Sequence, residues 1–316
     1  MRTFSHPGYK RFLLSVGCLL SIHFTALFFL TLFRLVFFFS ANYDFPDQEH
    51  VGFMSIWPAF IRGVWFDNVI ACYILLIPLV AVHISALFNY YGKILWNVTC
   101  IFFSLFYGIV LLVTAANIPY FQYFFKIINS SVFNWFGYMN TTAGMVFGET
   151  SYYPPLIGFL LTLVLFIWLM RRLIRHFQRL LNTKNPSVFW LDRIYIFLTA
   201  GICIGLCLFG IWGRTGYNPI KVSAAYYCTD PFLNQLGISP VFNLLSSTLD
   251  DSRKENRYLH LMPENEALEN TRHYLNRPGI EGISPIARQI NASDSLRRPN
   301  IVLIFMESMS AHLMKR

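Results

Sequence analysis

The chain has 316 residues, of which 55% are hydrophobic, 18% aromatic and only 13% charged, with a formal net charge of +9. A soluble domain carries about a quarter charged residues, so this composition excludes an ordinary soluble globule and points to a membrane protein. The positive balance does not make a nucleic-acid partner: most of the excess falls in short connections between apolar segments, where it orients helices rather than forming a binding stripe.

Five stretches are long and apolar enough to cross about 30 Å of hydrocarbon: Phe12 to Phe39, Asn68 to Phe88, Ile94 to Ala116, Pro154 to Met170 and Phe189 to Trp212. The first is too long for the apolar core of a signal peptide and is expected to stay as an anchor. Arg2, Lys10 and Arg11 precede it, Lys93 lies between the second and third spans, and Arg171, Arg172, Arg175, Arg179, Lys184 and Arg193 crowd the fourth turn. The remaining connections hold Asp44, Asp47, Glu49 and Asp67, or Lys126 against Glu149. The positive-inside rule then predicts a cytoplasmic N-terminus and an extracytoplasmic segment after Trp212.

Three charged or titratable groups fall within or near the spans: His23, Arg34 and His83. Arg34 is close enough to the end of its span to snorkel, and an Arg34–Asp67 or Arg62–Asp67 pair is expected. His23 and His83 read as hydrogen-bonding residues between helices. No repeated broken helices or midplane charges suggest a transporter. Cys18, Cys72, Cys100, Cys203 and Cys207 lie in apolar spans, Cys228 is isolated and no CxxC occurs, so neither a disulfide framework nor a cysteine metal site is expected.

Between the third and fourth spans, Asn117 to Tyr153 is rich in aromatic residues and poor in charge. Trp and Tyr favour the headgroup level, so this stretch reads either as an interfacial helix or as a floor for a lipid substrate. After the fifth span, Lys221 to Leu249 spaces its apolar residues as amphipathic helices would, interrupted at Pro231 and Pro240, and suits the outer leaflet. A polar linker runs from Asp250 to Arg298; within it, Glu264 to Asn276 predicts a short solvated helix stopped by Pro278 and Gly279. Residues 300 to 306, including Ile301, Val302, Leu303, Ile304 and Phe305, form an apolar run that suits a central strand covered on both faces. Glu307 follows it, at the carboxyl end where open α/β sheets bind ligands.

Three of these stretches resemble one family, the lipoteichoic acid synthases and phosphoglycerol transferases of the alkaline phosphatase (sulfatase-like) superfamily. "FIRGVWFDNVIACYILLIP" resembles the family's Gly-x-x-Phe-Asp start of the second span. "GRTGYNPIKVSAAYYCTDPFLNQLGISPVFNLLSS" resembles its juxtamembrane segment through Arg214, Gly216, Pro219-Ile220, Asn234 and Pro240-x-Phe242-Asn243, with Ser239 departing from an expected Asn. "PNIVLIFMESMS" resembles the first catalytic strand. The resemblance implies a helical polytopic membrane domain (1–213), juxtamembrane amphipathic helices and linker (214–298), and the start of an α/β sulfatase-like domain (299–316).

The implied protein sits in the bacterial cytoplasmic membrane and transfers a phosphorylated head group, such as glycerol phosphate, from a phospholipid to a glycan or lipid acceptor of the cell envelope. Phosphoethanolamine transfer, or hydrolysis of a phosphate or sulfate ester, are alternatives within the same superfamily, and a non-catalytic module that binds lipid or a partner is the alternative outside it. Glu307 stands where the family has a metal ligand, for manganese or magnesium, or for zinc. A carboxylate there suits a hard divalent ion that polarises a phosphoryl oxygen. The family's threonine nucleophile and its later Asp and His ligands are expected downstream of Arg316; residues 1–316 alone are expected to be inactive.

Overall fold

The computed structural model describes residues 7–41, 53–181, 190–253, 261–276, 286–287 and 302–303. They fall into two units, residues 1–257 and residues 258–316.

The first unit is a helical bundle. Its long helices are α1 (Pro7–Ser40), α2 (Phe53–Leu87), α3 (Lys93–Phe124), α5 (Tyr153–Leu181) and α6 (Trp190–Trp212). All five are long and apolar enough to cross a membrane. Large apolar side chains such as Phe24, Phe28, Ile101, Leu161 and Phe197 stand exposed along their outer faces. A water-soluble protein hides such faces, and their persistence fits a multi-pass membrane protein. α2 packs between α1 and α6, α3 lies along α5, and α1 also meets α5. Aromatic rings fill the seams: Phe166 of α5 meets Phe29 of α1 at 6.1 Å and Tyr107 of α3 at 5.3 Å between ring centroids.

Several helices outrun the apolar stretches that predict them. α2 begins at Phe53, far ahead of Asn68, because the charged residues of its first half have partners within the protein, Asp67 in Arg34 and Arg62 in the Ala224 carbonyl and the Tyr227 ring. α3 passes Ala116 and ends at Phe124, so Asn117 and Pro119 lie within the helix and not in a loop. α5 continues beyond Met170 through its arginines to Leu181, and Arg172 lies 5.3 Å from the Trp168 ring. Hydropathy marks where a helix is apolar; it does not mark where hydrogen bonding stops.

Between α3 and α5 the chain forms a 3₁₀ segment (Ser130–Tyr138), α4 (Met139–Gly148) and a short 3₁₀ turn (Thr150–Tyr152). After α6 come a 3₁₀ turn (Val222–Ala225), α7 (Pro231–Leu236) and α8 (Pro240–Ser252). Pro231 and Pro240 open these last two helices at the first-turn position, where a missing N–H costs nothing.

The second unit contributes α9 (Glu264–Leu275), with Glu264 and Glu266 in the first turn and Arg272 and His273 in the last. Those charges oppose the helix macrodipole at both ends, Asn276 closes the helix in the left-handed region, and no residue of α9 is buried. It is the solvated helix the sequence predicts. No strand occurs among the described residues. The expected strand at 300–306 lies, apart from Val302 and Leu303, outside them.

Candidate functional site

One end of the first unit is organised around a buried ion pair. Arg34 of α1 places Nη2 2.6 Å from Oδ2 of Asp67 on α2, with the two side chains only 4% and 3% exposed. Arg34 Nη1 donates to the carbonyls of Leu236 and of Ile238, the latter at 3.1 Å. A single guanidinium therefore ties α1 and α2 to the turn between α7 and α8. Gly63 makes this possible: a Cβ there would stand 2.2 Å from the guanidinium carbon. One helical turn from Asp67 on the same face, only a glycine leaves room. Between the two pairings expected from the sequence, the structure selects Arg34. Arg62 is five residues from Asp67 and so points elsewhere; it lies 4.4 Å from the Tyr227 ring and donates Nε to the Ala224 carbonyl at 3.3 Å.

The segment after α6 folds back onto α2 through polar side chains. Gly213, at φ +75°, turns the chain, and Trp65 Nε1 donates to its carbonyl. Arg214 Nε then bonds the Asn218 carbonyl at 2.6 Å, closing the turn that carries Gly216, and Ile220 inserts as a buried side chain. Asn234 organises the next loop: its Oδ1 accepts from the amides of Tyr227 at 2.9 Å and Cys228 at 3.3 Å, and its Nδ2 donates to the Cys228 carbonyl at 2.7 Å. Asp230 caps α7 by accepting from the Leu233 amide at 2.8 Å. Tyr227 donates its hydroxyl to the Ser55 carbonyl at 2.5 Å. Burial, followed by the neighbouring Cys228, pushes its pKa above the ordinary tyrosine value. Phe242 packs against Phe66 with ring centroids 4.8 Å apart and the planes tilted by 58°.

The first two quoted stretches therefore meet in space. Their Gly63, Trp65, Phe66, Asp67, Asn234 and Phe242 build one interface, with Arg34 between them. Ser239 is buried at the N-terminus of α8, but its side chain makes no capping bond.

A second set of polar contacts pins residues 125–130, which begin with Phe125 in its left-handed conformation (φ 54°). Asn117 Oδ1 accepts from the Ile128 amide at 3.0 Å, Gln235 Oε1 from the Ile127 amide at 3.1 Å, and Asn243 Nδ2 donates to the Ile128 carbonyl at 2.9 Å. Ser247 Oγ accepts from the Ser130 amide at 2.9 Å. Sequence reading missed this set. Its one available signal is Asn117, a lone amide amid apolar neighbours, which has to satisfy a backbone group when buried.

Beside this braced segment lies a cavity of about 690 Å³. One wall is a stripe of α3 that runs from Leu112 through Ala116 and Tyr120 to Phe124. Trp135 and Phe136 of the 3₁₀ segment, Met145 of α4, and Leu156 and Phe159 of α5 complete it. Trp135 packs 5.8 Å from both Tyr120 and Phe124. Tyr138, the last residue of the 3₁₀ segment, and Thr141 and Thr142 of α4 also line the cavity, and the Thr142 hydroxyl donates to the Trp135 carbonyl at 3.4 Å.

The histidines divide. His23 Nε2 lies 3.1 Å from Asn68 Oδ1, joining α1 to α2 as expected. His83 Nδ1 bonds the Leu79 carbonyl of its own helix and meets Phe12 only as a ring contact at 4.9 Å, so it makes no hydrogen bond between helices. The side chain bonds one turn back along its own helix, as short polar side chains do. Among the described residues no three His, Cys, Asp or Glu side chains stand close enough to hold a metal ion. Glu307, with Ser308 and Ser310, lies outside the described residues.

Fold and site together define a five-helix bundle of membrane type, sealed at one end by an ion-paired cap beside an apolar cavity. No family model, no curated protein and no solved structure matches the chain.

Proposed function

We propose that this chain is the membrane portion of a sulfatase-like transferase of the bacterial cytoplasmic membrane, moving a phosphorylated head group such as glycerol phosphate from a phospholipid to a cell-envelope acceptor. The observation that carries the reading is the packing of the two juxtamembrane stretches against each other around Arg34 and Asp67. Their polar residues have a common structural task, which explains why they occur together. In this reading the cap is a rigid mount from which residues after Arg253 lead to a catalytic domain on the outer face, and Glu307 is one ligand of its divalent ion. The ion would polarise a phosphoryl oxygen.

The test is turnover by the native gene product, purified in nanodiscs with labelled phosphatidylglycerol and manganese. Release of labelled diacylglycerol that fails in Glu307→Gln, together with lost metal content, is the expected result. Release that persists in Glu307→Gln, or no release at all, removes the proposal.

The apolar cavity favours a second reading, a module that binds lipid without chemistry. Under it, the same preparation holds phospholipid through purification and never turns it over.

A further inference from the structure

The cavity beside α3 has a shape that selects one kind of occupant. Its α3 wall runs from Leu112 to Phe124, and at 1.5 Å per residue that is about 18 Å. One leaflet contributes about half of a roughly 30 Å hydrocarbon core, so the slot is as deep as a single leaflet. The helices that wall it, α3 and α5, are both of membrane-spanning length and hydropathy. At about 690 Å³ the slot falls within the roughly 300–1,000 Å³ range of small-molecule sites.

Its chemistry is graded along its length. Leu112, Ala116 and Pro119 line an apolar floor toward one end of the α3 wall, where Ala116 leaves space; Tyr123 stands toward the other, and Tyr138, Thr141 and Thr142 are the further hydroxyl-bearing residues of the lining. Lys126, exposed, stands on the turn that leaves α3 at the Tyr123 end. Its charge is opposite to that of a phosphodiester. Glu149, which follows α4, already has a partner within the protein.

Access is lateral. Ala116, Tyr123, Phe136 and Met145 line the slot yet remain exposed, so it opens to the surroundings of the bundle rather than closing into the core. A soluble metabolite would meet almost no hydrogen-bonding partners along the floor. A flexible hydrocarbon chain would meet mostly apolar side chains.

We infer that this slot is a binding site for one acyl chain of a bilayer phospholipid, with its head group at the Lys126 end. The inference extends the lipid-donor reading, but it requires no catalysis by the chain.

The experiment uses the whole chain in nanodiscs containing a phosphatidylglycerol that carries a photoactivatable diazirine in its acyl chain. After irradiation, adducts are mapped by peptide mass spectrometry. Adducts concentrated on residues 112–124 and 139–159, in excess over the equally lipid-facing α6, are expected. Ala116→Phe fills the floor from α3 and Met145→Trp fills it from α4. Displacing about two methylenes in either variant should lower those adducts on the order of tenfold, with α6 labelling unchanged. Two variants on separate elements keep the test alive if one fails to fold.

A matched diazirine fatty acid distinguishes the source. Equal labelling by the free acid means that the Lys126 end recognises no phosphodiester, which overturns the head-group assignment. Uniform labelling of all lipid-facing helices, unaffected by either variant, overturns the site. The readout is separate from turnover: a chain that labels as expected but releases no diacylglycerol defeats only the transferase reading, and the converse result defeats only this one.

Discussion

The cap made by α7 and α8 and the shelf made by the 3₁₀ segment and α4 are opposite in construction. Both are short helical pieces beside the ends of long helices, and both carry aromatic side chains, Phe232 and Phe242 in the cap and Phe133, Trp135, Phe136, Tyr138 and Phe147 in the shelf. α7 buries Phe232, Leu233, Asn234 and Leu236, whereas neither the 3₁₀ segment nor α4 buries a single residue. The cap owes its packing to polar side chains that satisfy the backbone behind the aromatics: Arg34 on two carbonyls, Asn234 on three backbone groups, Asp230 on a helix N-terminus. The shelf has one capping bond, from the Ser131 amide to Asn129 Oδ1, and beyond it mostly exposed rings. Buried aromatics need their backbone satisfied to stay buried. Without that, the same side chains become a surface.

The largest effect concerns where these regions sit. The arginines of α5 and the turn after it predict one compartment for Lys184, and the cap's continuation predicts the other for Asp250. Reporter fusions at the two positions should read opposite compartments. Identical readings would place the cap and the arginine cluster together and would end both the topology and the transferase proposal.

Next in size is the ion pair. Arg34→Ala leaves Asp67 charged and buried, and Asp67→Asn strands the guanidinium; loss of one partner of such a pair costs about 3–5 kcal/mol. Either variant should unfold at markedly lower temperature in detergent. The combined Arg34→Met, Asp67→Leu change removes both charges and should recover much of the loss. Gly63→Ala forces the guanidinium out of place and should resemble Arg34→Ala. A single variant that melts with the native protein would show that the cap does not depend on this pair.

Asn234→Ala is a smaller disruption of the same region. It leaves the amides of Tyr227 and Cys228 without their acceptor, at a cost of about 1–3 kcal/mol. Proteolysis should then open the loop at 226–230 before the bundle melts. If cleavage stays at its native rate, the loop is held by packing alone.

Much of this was legible in the sequence, and the failures have physical causes. All five long helices follow from apolar runs, and the two cap helices from prolines that stand at their first turns. Asp67 suggests a pair because a carboxylate among apolar neighbours needs a counter-charge, but sequence leaves Arg34 and Arg62 as equal partners. Only the rotation of α2 separates them. The extension of α2 back to Phe53 is invisible to hydropathy, since Arg62 and Asp67 lower it locally and the groups that satisfy them come from residues 34, 224 and 227. The bracing of residues 125–130 by Asn117, Gln235 and Asn243 is equally hidden, because it joins positions far apart in the chain. Spacing reports one helix at a time; long-range hydrogen bonds do not appear in it.

The smallest expected effect falls on the shelf. Phe136→Ala and Tyr138→Ala remove side chains that are 59% and 71% exposed, and substitutions away from buried features usually change stability by less than about 0.5 kcal/mol. Melts of both variants in detergent should overlay the native curve, unlike every change in the cap. The comparison sharpens in a bilayer, where rings at the headgroup level gain from apolar contact on one side and water on the other. There the same two variants should lower stability measurably, and the difference between detergent and bilayer should vanish for Asn234→Ala, whose contacts are all within the protein. A large loss for Phe136→Ala in detergent would mean that the shelf is held by protein contacts after all, and the distinction between the two regions would fail.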